Sequence, residues 1–369
     1  MLSRWNTRLE SLGLYIWNYF YNMTTKLSAL PNIERLSPRV IRVLGQNPGQ
    51  MTLQGTNCYV VHAPNVRPND PLASRTCLID TGAAWLTSSS FLPLLRESLA
   101  PFVQRTIGDE TPDTITTITD IVLTHRHADH IGGLKPILEV FSKSGLPQPR
   151  VHKYPHPVEM QADGSEVDWD EILISDIWPN ATRSSTDINW LKHDDRILLQ
   201  EADSERDGST LRIISTPGHT PDSISLLLEE TGELFTADTV LGQGTSVFAD
   251  LAEYMASLQK LLDFKPSSIY PGHGPHIDNQ ALAMGKIEEY IKHRLEREKQ
   301  IVQTLEQLTS GTTSNQPGIT ARQIVEVLYA GLGMGVYIAA EKPVIAHLRK
   351  LEKDGRVATD ASGKWKLLP

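Results

Sequence analysis

The chain has 369 residues, 40% of them hydrophobic and 21% charged, which is enough apolar material for one large core with a small appendage and excludes a largely disordered protein. The formal net charge of −9 excludes a protein coated in basic residues for long-range capture of nucleic acid, so any polyanion must be held by a local groove. Two cysteines, Cys58 and Cys77, lie in apolar runs, which suits buried thiols in a reducing compartment better than a disulfide framework and points to an intracellular protein.

Residues 1–30 read as an N-terminal extension. Arg4 and Arg8 precede an aromatic-rich stretch from Leu12 to Met23, shorter than the ~20 apolar residues a membrane span requires, so no stable membrane insertion is expected. A mitochondrial targeting helix, an amphipathic surface helix and an extension upstream of an alternative start at Met23 all stay open, although Glu10 counts against targeting. Cytoplasm and mitochondrial matrix are therefore the two expected locations.

From Val40 to Val61 two β-rich runs flank a Gly/Pro/Asn loop, and TCLIDTG follows as a third strand, a meander that opens a domain. Phe91 to Val103 has helical spacing of Leu and Val, and DIVLT, Asp120 to Thr124, is a short buried strand running directly into His125. A helix is expected from Leu134 to Phe141. The polar region from Pro147 to Asp195 reads as an insertion or a mobile loop over the sheet. LRIIST, SISLLLEE, ELFTADTV and SSIYPGHGP then read as strands ending in polar loops.

Asn279 to Leu308 is a long charged helix closing the main domain, and Gly311 to Gly318 a linker. Beyond it, ITARQIVEVLYA and KPVIAHLRKLEKDG read as helices and RVATDASGKWKLL as a hairpin turning at Asp360 to Gly363, the pattern of a winged helix-turn-helix. From Gly318 to Pro369 eight Lys/Arg (Arg322, Lys342, Arg349, Lys350, Lys353, Arg356, Lys364, Lys366) outnumber five acids, a local balance of +3. That balance fits a module holding a phosphate backbone and equally an ordinary solvated helix face; no aromatic-interleaved platform for stacking bases is visible.

His125-Arg126-His127-Ala128-Asp129-His130 gathers three imidazoles and a carboxylate within six residues, donors that Zn²⁺ takes readily. A His-rich surface loop is the bland alternative, but further donors follow in TPGHT (His219), FTADT (Asp238) and YPGHGP (His273). Each stands just past an apolar strand and beside a small residue that allows close backbone approach.

These motifs, in this order, resemble the metallo-β-lactamase superfamily from Arg39 to about Asp278. The resemblance implies an α+β fold, an αββα sandwich over residues 31–310 with a winged-helix domain over 318–369, and two Zn²⁺ per chain, for which Mn²⁺ or Fe²⁺ could substitute. It implies one ion on His125, His127 and His219, the other on Asp129, His130 and His273, with Asp238 bridging and Asp80 of LIDTG supporting the site without binding metal. A metal-bound hydroxide would be the nucleophile, and Asp129 would also orient it. Ala237 departs from the Gly common before the bridging Asp, and Arg126 from a common Trp.

LSPRVIRVLGQNPGQMTLQGTNCYVV, GQGTSVFADLAEYM and EEYIKHRLEREKQI narrow the resemblance to the lactamase-β-like branch, which includes an animal mitochondrial endoribonuclease and fungal polyketide-releasing thioesterases. Single-stranded RNA is therefore the first expected substrate and partner. An acyl carrier protein thioester is the second, with Trp169, Trp178 and Trp190 as candidates to line an acyl pocket or to serve as packing anchors. A homo-oligomer stays open. The loops at Pro64 to Ala73 and Asp163 to Arg183 look like insertions. Thr56, Asn57 and Tyr254 lie near the expected cleft with weaker claims, and His276 and His293 are candidate proton donors needing geometry.

Overall fold

The computed structural model describes residues 27–63, 75–84, 87–100, 117–145, 147–160, 165–177, 188–200, 208–309, 318–332 and 334–368. The readings for the first 23 residues, the Pro64 to Ala73 loop, Trp178 and most of the linker lie outside these residues, as does part of the Asp163 to Arg183 segment.

Two sheets form the centre. The first runs β1 (Ile33–Arg35), β2 (Val40–Leu44), β3 (Asn57–Val61), β4 (Thr76–Ile79), β5 (Ile118–Leu123), β6 (Arg150–Lys153) and β9 (Ile188–Trp190) in that spatial order, antiparallel up to β4 and parallel beyond it. The second runs β10 (Arg196–Gln200), β11 (Ser209–Ser215), β12 (Ile224–Leu228), β13 (Glu233–Ala237) and β14 (Ser268–Pro271), with only the β13–β14 pair parallel. A small β7–β8 hairpin (Glu159–Met160, Glu166–Val167) stands apart.

Alternation along each strand builds three apolar layers. In β5, Val122 points between the sheets with Tyr59, Ile79, Leu211, Leu226 and Phe235, whereas Ile121 and Leu123 point outward. The outward face packs on helices α1 (Leu92–Leu99), α3 (Leu134–Ser144) and α4 (Trp169–Ile177); the one-turn α2 (Ala128–Ile131) precedes α3. The outer face of the second sheet packs on α5 (Leu251–Asp263) and the first half of α6 (Gln280–Thr309). Covered on both faces, β2 to β4 and β12 to β14 are buried along their whole length, which is why they read as continuous apolar runs. The result is the αββα sandwich expected from the sequence. Cys58 and Cys77 are buried free thiols, and among the described residues no helix is long and apolar enough to cross a membrane.

The C-terminal unit combines α7 (Ala321–Leu328), α8 (Met334–Lys353) and the β15–β16 hairpin (Val357–Thr359, Trp365–Leu367). Its core, including Ile324, Val344, Leu348 and Trp365, closes over Ile301 and Leu305 from the last turns of α6, so α6 serves both units. Thr320 caps α7 through a reciprocal bond with Gln323, a favourable N-terminal box.

Two expectations are corrected. Among its described residues the segment from Pro147 to Asp195 is not a loop over the sheet, since it supplies β6, β9 and α4. Its charges misled because some are buried in pairs: Lys153 Nζ reaches Asp170 Oδ1 within the segment and Asp222 Oδ2 beyond it, each at 2.8 Å. Helix α8 begins at Met334, ahead of the expected Lys342, and runs through Pro343.

Candidate metal centre

The strand ends converge at one edge of the sandwich, where backbone bonds tie the sheets together. Ile224 donates its amide to the Thr124 carbonyl (3.0 Å) and Asn57 to that of Gly272 (2.7 Å). Strand β5 stops at Leu123, and the loop after it carries His125 and His127 before α2 presents Asp129 and His130. His219, Asp238 and His273 follow β11, β13 and β14. Two of these turns need glycine. A Cβ on Gly218 (φ +131°) would strike the Tyr254 backbone, and one on Gly272 would strike Asp238 Oδ1 and come within 3.0 Å of His130 Cε1. Ala237, expected to cause only a local adjustment, holds φ +44°, a left-handed conformation that costs an L residue about 1–2 kcal/mol.

Two groups of donors result, His125, His127, His219 and Asp238 in one and Asp129, His130 and His273 in the other, with the ligand atoms of each group within 4.8 Å of one another. His127 Nδ1 lies 2.9 Å from His125 Nε2 and 3.0 Å from His219 Nε2. In the second group His130 Nε2 and His273 Nε2 are 3.4 Å apart and lie 3.4 and 3.3 Å from Asp129 Oδ2. Asp238 faces both: Oδ2 is 3.5 Å from His219 Nε2, while Oδ1 is 3.5 Å from His130 Nε2 and 3.4 Å from His273 Nε2. All seven predicted donors are brought together.

The far sides of the rings are held. His130 Nδ1 bonds Asp80 Oδ2 (2.7 Å), His125 Nδ1 the Thr124 hydroxyl (3.0 Å), His219 Nδ1 the Val247 carbonyl (2.8 Å) and His273 Nδ1 the Gly55 carbonyl (3.4 Å). With Nδ1 protonated, each Nε2 lone pair is directed into the centre. Asp80, at φ +61°, also accepts the Thr124 amide and hydroxyl, both at 2.9 Å. Thr56 donates to Asp129 Oδ2 at 3.0 Å.

Burial keeps His125, His127 and His219 neutral, His127 down to about 3. Burial opposes charge on Asp129 and Asp238 too, but His130 and His273 outweigh it and hold both carboxyls below the usual range. Those carboxylates in turn overcome burial at His130 and His273, raising His273 to about 10. Asp238 Oδ1 is buried without a hydrogen-bond partner, an atom that a cation would satisfy. The neutral imidazoles of His125, His127 and His219 beside ionised carboxylates are a donor set that fits a divalent metal.

Sequence reasoning did not single out Thr124, whose only signal is a polar end to an apolar strand, or Ser246, which donates to the Asp238 carbonyl and lies 3.4 Å from His219 Nδ1. Asn57 and Tyr254 satisfy backbone: Asn57 Nδ2 donates to the Pro271 and Gly274 carbonyls beside His273, and Tyr254 to that of Thr239. His276 pairs with Asp278 at 3.1 Å and His293 meets Arg294 at 3.0 Å. Arg126 stacks on Trp169, 4.3 Å from the ring centre.

Comparison with known proteins shows the family. The family model described as the metallo-beta-lactamase superfamily matches residues 52–273, and that of the beta-lactamase associated winged helix domain matches 320–365. A Drosophila melanogaster protein named Beta-lactamase-like protein 2 homolog is 36% identical over 336 residues, covering 91% of this chain and 95% of its own. An atrochrysone carboxyl ACP thioesterase of Aspergillus novofumigatus is 31% identical over 353 residues, covering 94% and 89%. Among solved structures, a beta-lactamase domain protein from Burkholderia ambifaria superposes with a TM-score of 0.62 at 18% identity over 94% of this chain and 97% of its own, a likeness of fold alone.

Proposed function

The chain belongs to the metallo-beta-lactamase superfamily, and on that premise we propose that it is a dinuclear zinc hydrolase acting as an endoribonuclease on single-stranded RNA. The observation that carries the dinuclear reading is the orientation of Asp238, one oxygen toward each histidine group. His125, His127 and His219 would hold one ion and Asp129, His130 and His273 the other, with Asp238 within reach of both. Two divalent cations there would supply Lewis acidity and a water acidic enough to ionise near neutral pH.

The protein's own residues do the rest. Asp129, fixed by the Thr56 hydroxyl, would orient the attacking water. Asp80 fixes the His130 ring, and the Val247 carbonyl that of His219. The metallo-β-lactamase domain extends over residues 31–310 and the winged helix over 318–369. In the latter Lys342, Arg349 and Lys366 form no ion pair among the described residues and Lys364 has only the exposed Asp360 nearby, which supports a backbone-holding surface.

A second reading is hydrolysis of an acyl carrier protein thioester by the same centre. It is favoured by the thioesterase relatives and by the use of three expected RNA contacts for docking: Lys350 and Arg356 bind Glu298, and Lys353 binds Asp250. Zn-loaded protein incubated with labelled single-stranded RNA and with acyl carrier thioesters, with and without chelator, decides between them. Chelator-sensitive RNA cleavage that is lost in His127→Ala and Asp238→Ala, with unchanged far-UV CD, is expected; cleavage of the thioester alone rejects the RNA reading.

A further inference from the structure

Arg126 stands between two proposed metal ligands, His125 and His127, on the loop leaving β5. It is half-buried, and among the described residues it has neither a carboxylate partner nor an acceptor for its buried Nε. Its guanidinium lies 4.3 Å from the centre of the Trp169 ring, and that indole is itself fixed by Nε1 donating to Glu159 Oε2 at 2.8 Å. Stacking occupies the flat face of a guanidinium and leaves its in-plane N–H groups directed outward, the arrangement that receives the two oxygens of a phosphate or carboxylate. A half-buried cation with an unsatisfied Nε is costly, and since no described residue offers it an anion, the substrate is the natural source.

We propose that Arg126, held over Trp169 beside the metal ligands, is a specificity-determining residue that receives the anionic phosphodiester next to the scissile bond. The proposal rests on the RNA reading above. The same position cannot serve the phosphate of a carrier protein's pantetheine arm, which lies far along the chain from the thioester. Trp169 is then a positioning residue acting through Arg126. Binding of substrate should depend on this one charge, and turnover of bound substrate should not.

The test uses full-length Zn-loaded protein carrying Arg126→Gln, Arg126→Lys or Trp169→Leu. Steady-state kinetics on a labelled single-stranded RNA are read beside fluorescence-anisotropy binding of the same oligomer to chelator-treated, cleavage-silent protein across a salt series. Expected are a rise of about tenfold in KM and Kd for Arg126→Gln with kcat within threefold, partial recovery in Arg126→Lys, and an intermediate loss in Trp169→Leu. The slope of log Kd on log salt should also shrink by about 0.7 in Arg126→Gln, one contact fewer on a single strand, a change that loss of packing alone would not produce. Wild type that cuts RNA while Arg126→Gln keeps its KM, Kd and salt slope overturns the inference alone. Wild type that neither binds nor cuts RNA, or that hydrolyses only acyl thioesters, overturns the RNA reading and the inference together.

Discussion

Asp80 holds His130 by a 2.7 Å hydrogen bond from imidazole Nδ1 to carboxylate Oδ2, so a residue at the end of β4 fixes the direction of a ring on α2. The same carboxylate takes up the Thr124 amide and hydroxyl, tying the β5 loop to the meander. Asp80→Ala should lower metal affinity about 10–100-fold, the usual cost of losing such a support, measured by competition with a chromophoric chelator. Unchanged affinity would mean that His130 needs no such hold.

Gly272 lies against Asp238 Oδ1 so closely that an added methyl would meet it. Gly272→Ala should therefore displace the proposed bridging carboxylate, reducing bound metal to one equivalent or fewer and destabilising the fold by about 1–3 kcal/mol, as overpacking does. Elemental analysis and denaturant unfolding on one preparation check both effects.

Acid should loosen the C-terminal unit. Burial, with Arg294 and Arg297 nearby, lowers the pKa of His347 in that unit to about 3, and in the main domain burial lowers that of His62 to about 4. Because the folded pKa is depressed, the unfolded chain binds more protons below pH 6.5, so this stability is whole above pH 6.5 and is lost as pH falls toward 3. For His347 the loss at pH 5 is about 1–2 kcal/mol. His347→Gln should flatten the decline between pH 6.5 and 4; a decline as steep as wild type would assign it to other groups.

Glu298 near the end of α6 takes Lys350 at 2.8 Å and Arg356 at 2.9 Å, and it is largely buried while Arg356 is half-exposed. Glu298→Ala should cost about 1–3 kcal/mol, discounted from a fully buried pair because solvent screens the cations. Faster proteolysis near the 310–317 linker and a loss of salt sensitivity in that rate are the expected readouts.

Neutralising Lys342, Arg349, Lys364 and Lys366 together should raise the KM for RNA and reduce the binding salt slope by as much as about 3, at about 0.7 per contact. Thioester turnover, if present, should be unmoved. An unaltered RNA KM would remove the winged helix from substrate binding.

The centre was legible in the sequence because its chemistry constrains it locally. Each donor had to follow a strand that the apolar pattern announces, and Gly218 and Gly272 mark turns where nothing larger fits. The segment from Pro147 to Asp195 was not legible, because β9 is three residues long with one buried position and buried Lys153, Asp170 and Asp222 look in sequence like a solvated surface. The role of Glu298 was hidden for a related reason: a charge on a long polar helix carries no sign that a neighbouring domain will cover it. Pro343 obscured the start of α8, since proline more often opens a helix than lies within one.

The most direct measurement is the metal content of purified full-length protein after stripping and remetallation with Zn²⁺, read by elemental mass spectrometry for wild type and Asp238→Ala. Two ions per chain in the wild type, falling to one or fewer in the variant, is the result predicted by a carboxylate facing both histidine groups. A wild-type chain that takes up one ion or none, with the fold intact, would contradict it.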